Sequence, residues 1–505
     1  MKTITRLQVI LFLAITTLTA WKLSKTPGLF HRVNNSTFID SSSKDILPQV
    51  LALNANLRSR PSKDFRKGVV TDGSLKNYLS KTSNGYCIQL PGNTNIPTPA
   101  VIDGTIYLSG GFGSRQYYAF NAATGKNKWA VNLDDDGPSS PAIEDGVIVF
   151  NTESCTIFGC DTATGRPVWS YYLGDPLMSM PTIANGIVFT AYPAQYTLDE
   201  KATPGSNSFI PSHVLIAIEL KTGKILWQKW IDSDIMSAPV AKDDLLYVTT
   251  FSGNMYKVKQ RSGDILEARA MKATSAPVFS VSNEIVVSRR TDDKTTKAVG
   301  ETVVIGYGSK EKAVYQKEAR YLDKKIQEVS KLKSVATKAD AGNGFSNGAP
   351  ASANYSVAYE NIGQSNVSSL QSFQGSRALY KAGRLYNTMG DEIICTDSNG
   401  DVKWKHKLDG DMANEGGFMG TPPVYANGKI IVATFKGEVL IFDENKGTVL
   451  KKYELTDPIR YQPVVDKGWI YVTTVNSKLY AINTGDASLT GWSMWGANSA
   501  RTNEK

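Results

Sequence analysis

Ser139-Ser-Pro-Ala-Ile-Glu-Asp-Gly-Val-Ile-Val-Phe150, followed by Asp161-Thr-Ala-Thr-Gly-Arg-Pro-Val-Trp169, is the stretch whose reading decides the fold. A proline leads and a glycine follows five residues later. An apolar strand and a second strand come next, then a Thr-Gly turn and a tryptophan. The phrase recurs about eight times, roughly once every 40 residues, the period of four-stranded propeller blades.

Working outward, the leading prolines are Pro99, Pro141, Pro181, Pro239, Pro277, Pro423 and Pro463, with Ala378 in the equivalent place once. The glycine five residues on is present at Gly104, Gly146, Gly186, Gly383, Gly428 and Gly468. A second turn glycine stands at Gly125, Gly165, Gly223, Gly263, Gly400, Gly447 and Gly485, and unit 5 lacks a clean one. In unit 4, Ala238-Pro239-Val240, Leu245–Thr250 and Met255–Val258 read as strands A, B and C, with strand D after Ser262-Gly263. Their residues are β-branched and aromatic, with turn residues between them. The expected fold is all-β: an eight-bladed β-propeller of four-stranded antiparallel blades, with one helical insertion between blades 5 and 6. Trp129, Trp169, Trp227 and Trp404, four residues after their turn glycines, are expected to pack between adjacent blades.

Two stretches carry a family likeness: Ala119-Phe-Asn-Ala-Ala-Thr-Gly-Lys-Asn-Lys-Trp129 and Ala217-Ile-Glu-Leu-Lys-Thr-Gly-Lys-Ile-Leu-Trp227. Through them the chain resembles the PQQ-like (pyrroloquinoline quinone repeat) β-propeller family from about Tyr86 to Thr502. Its closing Gly491-Trp-Ser-Met-Trp-Gly-Ala-Asn-Ser-Ala-Arg-Thr502 looks like a tail of exported bacterial members. The resemblance implies the fold and leaves activity open, because the family holds quinoprotein dehydrogenases, outer-membrane assembly scaffolds and tetrathionate hydrolases.

Tyr86-Cys-Ile-Gln-Leu90 matches the strand D pattern of Trp129-Ala-Val-Asn-Leu133, so it is expected to supply the outer strand of the last blade and close the ring. The expected organisation is a signal peptide or membrane anchor over residues 1–21, a polar tether over 22–84, and the propeller over 85–505. Lys2 and Arg6 precede an apolar run from Val9 to Trp21, shorter than the about 20 residues of a membrane span. A periplasmic, cell-envelope or secreted location follows, with membrane contact only through that segment.

The composition, 41% apolar and 20% charged, is that of an ordered globular protein, and the net charge of +9 is modest over 505 residues. It favours anionic partners mildly. No long basic run or reader motif points to nucleic acid. Cys155 and Cys160 lie five apart on one expected strand and face opposite ways, while Cys87 and Cys395 read as buried free thiols. His31, His213 and His406 are scattered, so no metal-ligand spacing is readable. No motif specifies an oligomeric state.

Function is expected where the repeat is interrupted. Antiparallel blades put B–C turns and D–A connectors on one face and the Thr-Gly C–D turns on the other. Three interruptions fall on the first face: about 192–213 in unit 3, Arg289 to Glu301 in unit 5, and about 318–374 between units 5 and 6. Inserted loops on a rigid scaffold commonly carry binding and catalysis. In the longest, Tyr315, Ala319, Leu322, Ile326, Val329 and Leu332 recur at helical spacing. The stretch from Thr337 to Ser372 is rich in Gly, Ala, Ser and Asn and is expected to be loosely packed.

The channel mouth on that face is expected to gather Arg377, Arg289, Arg290, Arg460, Gln462 and Tyr192 as ligand-binding residues. Asp391, Glu153 and Asp323 are the candidate catalytic carboxylates, and no metal ligands are assigned. Guanidinium forks suit a carboxylate, sulfonate or sulfate. The leading expectation is a scaffold that binds an anionic small molecule or an envelope protein. The alternatives are a hydrolase of the tetrathionate type, using a carboxylate base, and a PQQ-dependent dehydrogenase. The last implies PQQ with calcium, yet no adjacent cysteine pair is present to support it.

Overall fold

The short apolar runs between turn residues fold as the periodicity requires. The computed structural model describes residues 67–153, 156–173, 179–193, 213–235, 237–280, 282–293, 298–306, 312–319, 378–388, 391–410, 419–492, 496–498 and 500, with Val50, Leu51 and Asn54. They form eight antiparallel sheets, each built on four strands, in sequential order except that the last blade takes its outer strand from the N-terminal side. Blade 2 is typical, with strands A to D at Ala142–Glu144, Val147–Asn151, Thr156–Asp161 and Pro167–Tyr172. The other innermost strands are Ala100–Ile102, Thr182–Ala184, Val240–Lys242, Val278–Phe279, Ala378–Lys381, Val424–Ala426 and Val464–Asp466.

The core lies between the blades. Tyr117 of blade 1 stacks on Phe150 of blade 2 at 4.1 Å, and both are fully buried. The tryptophans pack as expected: Trp129, Trp169, Trp227 and Trp404 each donate their indole N–H to a carbonyl of the next blade, at Thr162, Leu220, Gln260 and Glu444. The turn glycine of that next blade lies against the ring. A Cβ at Gly223 or Gly263 would stand 2.6 Å from the indole of Trp169 or Trp227. Both glycines adopt φ near +70°, so the turn needs glycine on two counts.

The ring closes as expected. Gly85–Gln89 pairs antiparallel with strand C of blade 8, Lys478–Asn483. Tyr86 takes the tryptophan's role there, donating its hydroxyl to the Ala122 carbonyl at 2.6 Å. The tether, however, contributes strands. Leu79–Thr82 lies outside Gly85–Gln89, and Val70–Asp72 pairs with strand D of blade 1, Asn127–Leu133. These short polar pieces carry no period, and the bare edges beside them order them.

Blade 5 also departs from expectation. It has four strands, Val278–Phe279, Ile285–Asp293, Ala298–Ile305 and Lys312–Ala319, with Gly306 at φ +76° opening its second turn. The excursion from Arg289 to Glu301 is therefore largely a continuation of strands B and C, with Arg289 paired to Thr302 and Arg290 to Glu301. Tyr315 and Ala319, expected on a helix, lie in strand D. Cross-strand pairing overrides the helical spacing there. The rest of the expected helix and the segment to Gln374 lie outside the described residues, as do residues 1–49, the insertion core at 194–212 and Cys155. Cys87, Cys160 and Cys395 are buried free thiols.

Candidate functional site

Backbone bonds confirm which loops share a face. The B–C turn amides of Glu153, Phe251, Phe435 and Val475 donate to D–A connector carbonyls at Asp136, Asp234, Met419 and Pro458. Neighbouring connectors are then tied together round the channel. Ser140 Oγ donates to the Thr98 carbonyl at 2.6 Å, Thr98 Oγ1 to the Gln462 carbonyl at 3.1 Å, and Gln462 Nε2 to the Pro423 carbonyl at 2.8 Å. This girdle joins blades 7, 8, 1 and 2 at the heads of their innermost strands.

Gln462 is held in this girdle through its side chain. It is buried, its amide nitrogen is used in the girdle, and only its Oε1 lacks a partner. Before it in the chain stands a residue to which the repeat assigned no role, Tyr461. This phenol is buried, and burial pushes its pKa up to about 12. The Arg460 guanidinium opposes that rise and the Glu153 carboxylate adds to it. The Arg460 guanidinium lies over the Phe435 ring at 4.4 Å, a cation–π contact. Glu153 Oε1 accepts from the Gly113 amide at 3.3 Å. A side chain at Gly137, whose φ is +58°, would collide with that carboxylate. The glycines of blade 1 and its connector thus make the seat in which Glu153 rests.

The remaining candidates fall elsewhere. Arg289 is in strand B of blade 5, its Nε donating to the Met271 carbonyl at 2.7 Å. Arg290 is its strand neighbour. Tyr192 lies in strand B of blade 3, Ile187–Pro193, and is buried among Val149, Leu173 and Trp230, with no partner for its hydroxyl among the described residues. Asp391 sits in the blade 6 B–C turn, its carbonyl accepting from the Leu408 amide at 2.8 Å. Arg377 and Asp323 lie outside the described residues.

Other polar groups on this face are engaged in holding connectors to blades. Asp232 is buried and accepts from Tyr256, Asn254 and Thr250 at 2.7–3.1 Å. Burial raises its pKa against those bonds. Asp135 accepts from Thr152 and Thr156, and Asp457 from Lys478, Tyr480 and Asn476. The same device in three blades marks it as part of the repeat. His213, fully buried, has its pKa driven down to about 3 by desolvation and lies 4.0 Å from Asp234. It is neutral near pH 7 and belongs to the junction of blades 3 and 4.

Tyr461 had a signal in the sequence. Two residues before the leading proline stand Ser139, Ser179, Ser237, Ser275 and Thr421, and blade 8 replaces this small hydroxyl with a tyrosine.

Against this geometry, a family model described as outer membrane protein assembly factor BamB matches residues 89–298, 354–450 and 411–498. The chain belongs to this PQQ-like propeller family. A search of curated proteins finds no significant sequence match. Among solved structures, BamB from Moraxella catarrhalis is similar at 12% identity and TM-score 0.48, covering 80% of this chain and 99% of that one. The computationally designed Ika8 protein shares 12% identity at TM-score 0.49, covering 78% and 98%. Quinohemoprotein alcohol dehydrogenase ADHIIG from Pseudomonas putida HK5 shares 12% at 0.47, covering 80% and 76%. Such distant likeness carries no argument about activity.

The PQQ-like repeat raises the question of PQQ with calcium. Among the described residues, no three His, Cys, Asp or Glu side chains converge as a metal site. Glu153 rests on the Gly113 amide, and Asp457 is satisfied by Lys478, Asn476 and Tyr480. The described donor set does not fit that group.

Proposed function

We propose that this BamB-family propeller is a binding scaffold of the cell envelope, with an anion-binding mouth at the heads of blades 8, 1 and 2. The observation that carries the reading is the Arg460 guanidinium held over the Phe435 ring at 4.4 Å, on the same face as the Glu153 carboxylate. A guanidinium positioned by an aromatic ring suits a carboxylate, sulfate or sulfonate. Glu153 restricts the ligand to one with a donor or a neutral edge on its far side. The family's description as an assembly factor favours a scaffold of this kind.

Isothermal titration with sulfate, thiosulfate and tetrathionate tests the mouth. Arg460→Ala is expected to weaken binding about tenfold or more, close to 1.4 kcal/mol, with little change in melting temperature. Absence of millimolar binding by all three anions, or a loss of several degrees with affinity unchanged, removes the reading. A pull-down from an envelope fraction, with Arg460→Ala as the comparison, tests the same face for a protein partner.

Hydrolysis of an anionic sulfur substrate is a second reading of the same mouth, favoured by the position of Glu153 as a carboxylate able to take a proton from water. Thiosulfate release from tetrathionate that disappears in Glu153→Gln would support it. A blank assay with intact binding leaves the scaffold.

A further inference from the structure

The N-terminal segment does more on the outer rim than supply strands to blades 1 and 8. From Lys67 to Gln89 it meets the outer strands of blades 2, 1 and 8 in turn, against the order in which the chain builds them. On blade 2, the Gly68 amide donates to Ser170 Oγ at 2.7 Å, and that hydroxyl lies 3.5 Å from the Gly68 carbonyl. A Cβ at Gly68 would stand 2.3 Å from the Phe158 ring, so the backbone lies directly on the sheet. On blade 1, Val70–Asp72 pairs with Leu133, Asn132 and Val131, and the Gly73 amide continues the ladder to the Ala130 carbonyl at 2.9 Å. Asp72 also meets Arg166, back on blade 2. Tyr78 then spans the closing seam. Its hydroxyl accepts from the Asn127 amide of blade 1 at 2.7 Å, its ring packs 5.7 Å from Phe120, and its carbonyl accepts from the Gln89 amide of blade 8 at 2.7 Å.

A further contact lies upstream, on blade 3. Asn54 holds both backbone groups of Trp230 in the outer strand Ile225–Ile231. Its Oδ1 accepts from the Trp230 amide at 3.0 Å, and its Nδ2 lies 3.5 Å from the Trp230 carbonyl and 3.1 Å from that of Val50. Val50 is 2% exposed and is buried in the seam of blades 3 and 4, in one cluster with Trp227, Ile231, Tyr256 and Ala268. This contact stands by itself, whatever path joins it to Lys67. Outer strands are sheet edges, whose backbone groups are open to pairing with other chains. Those of blades 3, 2, 1 and 8 are all met by this one segment.

We propose that the segment is a belt along the outer rim, anchored from the seam of blades 3 and 4 to blade 8, and that it guards the ring closure against fraying. The need for a guard follows from topology. Gly85–Gln89, the strand that closes the ring, is supplied from the N-terminal side of the chain. A strand held only by its own pairing opens locally from its free end. With the belt in place, the contacts on blades 3, 2 and 1 release before an opening that starts upstream reaches Gly85. The exposed Asp72–Arg166 pair adds little to that hold. Val50 in its seam and the backbone ladder from Val70 to Gly73 supply it. The belt bonds to rim strands and does not depend on what the mouth binds.

Hydrogen exchange on the full chain tests both parts. In the wild type the Gly73 and Trp230 amides are expected to exchange at least about tenfold more slowly than in an unfolded chain. Unprotected exchange at either amide overturns the belt. Asn54→Ala is expected to speed the Trp230 amide about tenfold while the Val188 amide, in strand B of the same blade, stays slow. An unchanged Trp230 rate overturns the blade 3 anchor and the belt with it. Gly68→Val sets a side chain against Phe158 and is expected to speed the Gly73 amide. The guard requires that the Leu90 amide, bonded to the Ser477 carbonyl at 2.8 Å just beyond the closing strand, speeds with it. Faster Gly73 with unchanged Leu90 overturns the guard. Should Gly68→Val fail to fold, Thr71→Pro gives the same comparison, because it breaks the belt strand at an exposed residue that touches no core.

Discussion

Trp227 serves two blades with one side chain. Its indole donates to the Gln260 carbonyl at 2.8 Å, and Gly263 of the same turn presses on its ring. Gly263→Ala is therefore expected to destabilise by roughly 1–3 kcal/mol in chemical denaturation, combining backbone strain and a clash. Gly485→Ala should cost less, because Gly485 has φ +76° but nothing within 4 Å of a Cβ. Equal losses would show that the indole contact contributes nothing. Asp457 gives a pH signature. Burial pushes its carboxyl up, but bonds from Lys478, Asn476, Tyr480 and Thr456 outweigh that and hold it at about 2. A folded pKa below the unfolded one stabilises above about pH 4, and that contribution is lost as the pH falls from about 4 towards 2. Thermal melts of wild type and Lys478→Met should thus differ most near neutral pH and approach each other near pH 2. The turn glycines and tryptophans are legible in the sequence because the repeat prints them several times. Tyr461 is legible only as a departure from a serine position, and its two charged neighbours come from blades 2 and 8.

Blade 8 takes its outer strand from the N-terminal side of the chain, and Tyr86 locks that strand to blade 1 as the tryptophans lock other blades. Tyr86→Phe keeps the ring packing and removes one buried hydrogen bond, so a loss of about 1 kcal/mol is expected in denaturant titration. A chain beginning at Pro91 leaves Lys478–Asn483 as a bare edge, and such edges recruit other chains. Light scattering should report association of that shortened chain, and a monodisperse sample would show that closure does not rest on this strand. The closing strand is readable because it repeats the strand D pattern. Blade 5 misleads for a local reason: Arg289-Arg-Thr-Asp-Asp293 is polar enough to resemble a loop, and Tyr315 with Ala319 imitates helical spacing. Pairing with Ala298–Ile305 makes both stretches strands, and pairing is not a property of either segment alone.

Across the whole molecule the two faces have different roles. The Thr-Gly face carries interblade packing and the tail, whereas the opposite face carries the girdle and the mouth. Binding at such a mouth is electrostatic in part, so anion affinity should fall as salt rises from about 50 to about 500 mM, more steeply in wild type than in Arg460→Ala. Parallel slopes in the two proteins would detach Arg460 from the ligand. The sequence by itself determined the blade count, the ring closure and which loops share a face, because each follows from a period repeated along the chain. Tertiary structure alone decided that Arg460 lies over Phe435, that Glu153 rests on the Gly113 amide, that Arg289 bonds the Met271 carbonyl and Gln462 the Pro423 carbonyl, and that the tail reaches blade 3. Those facts depend on distances between residues of different strands and blades, and a local period carries no such distance.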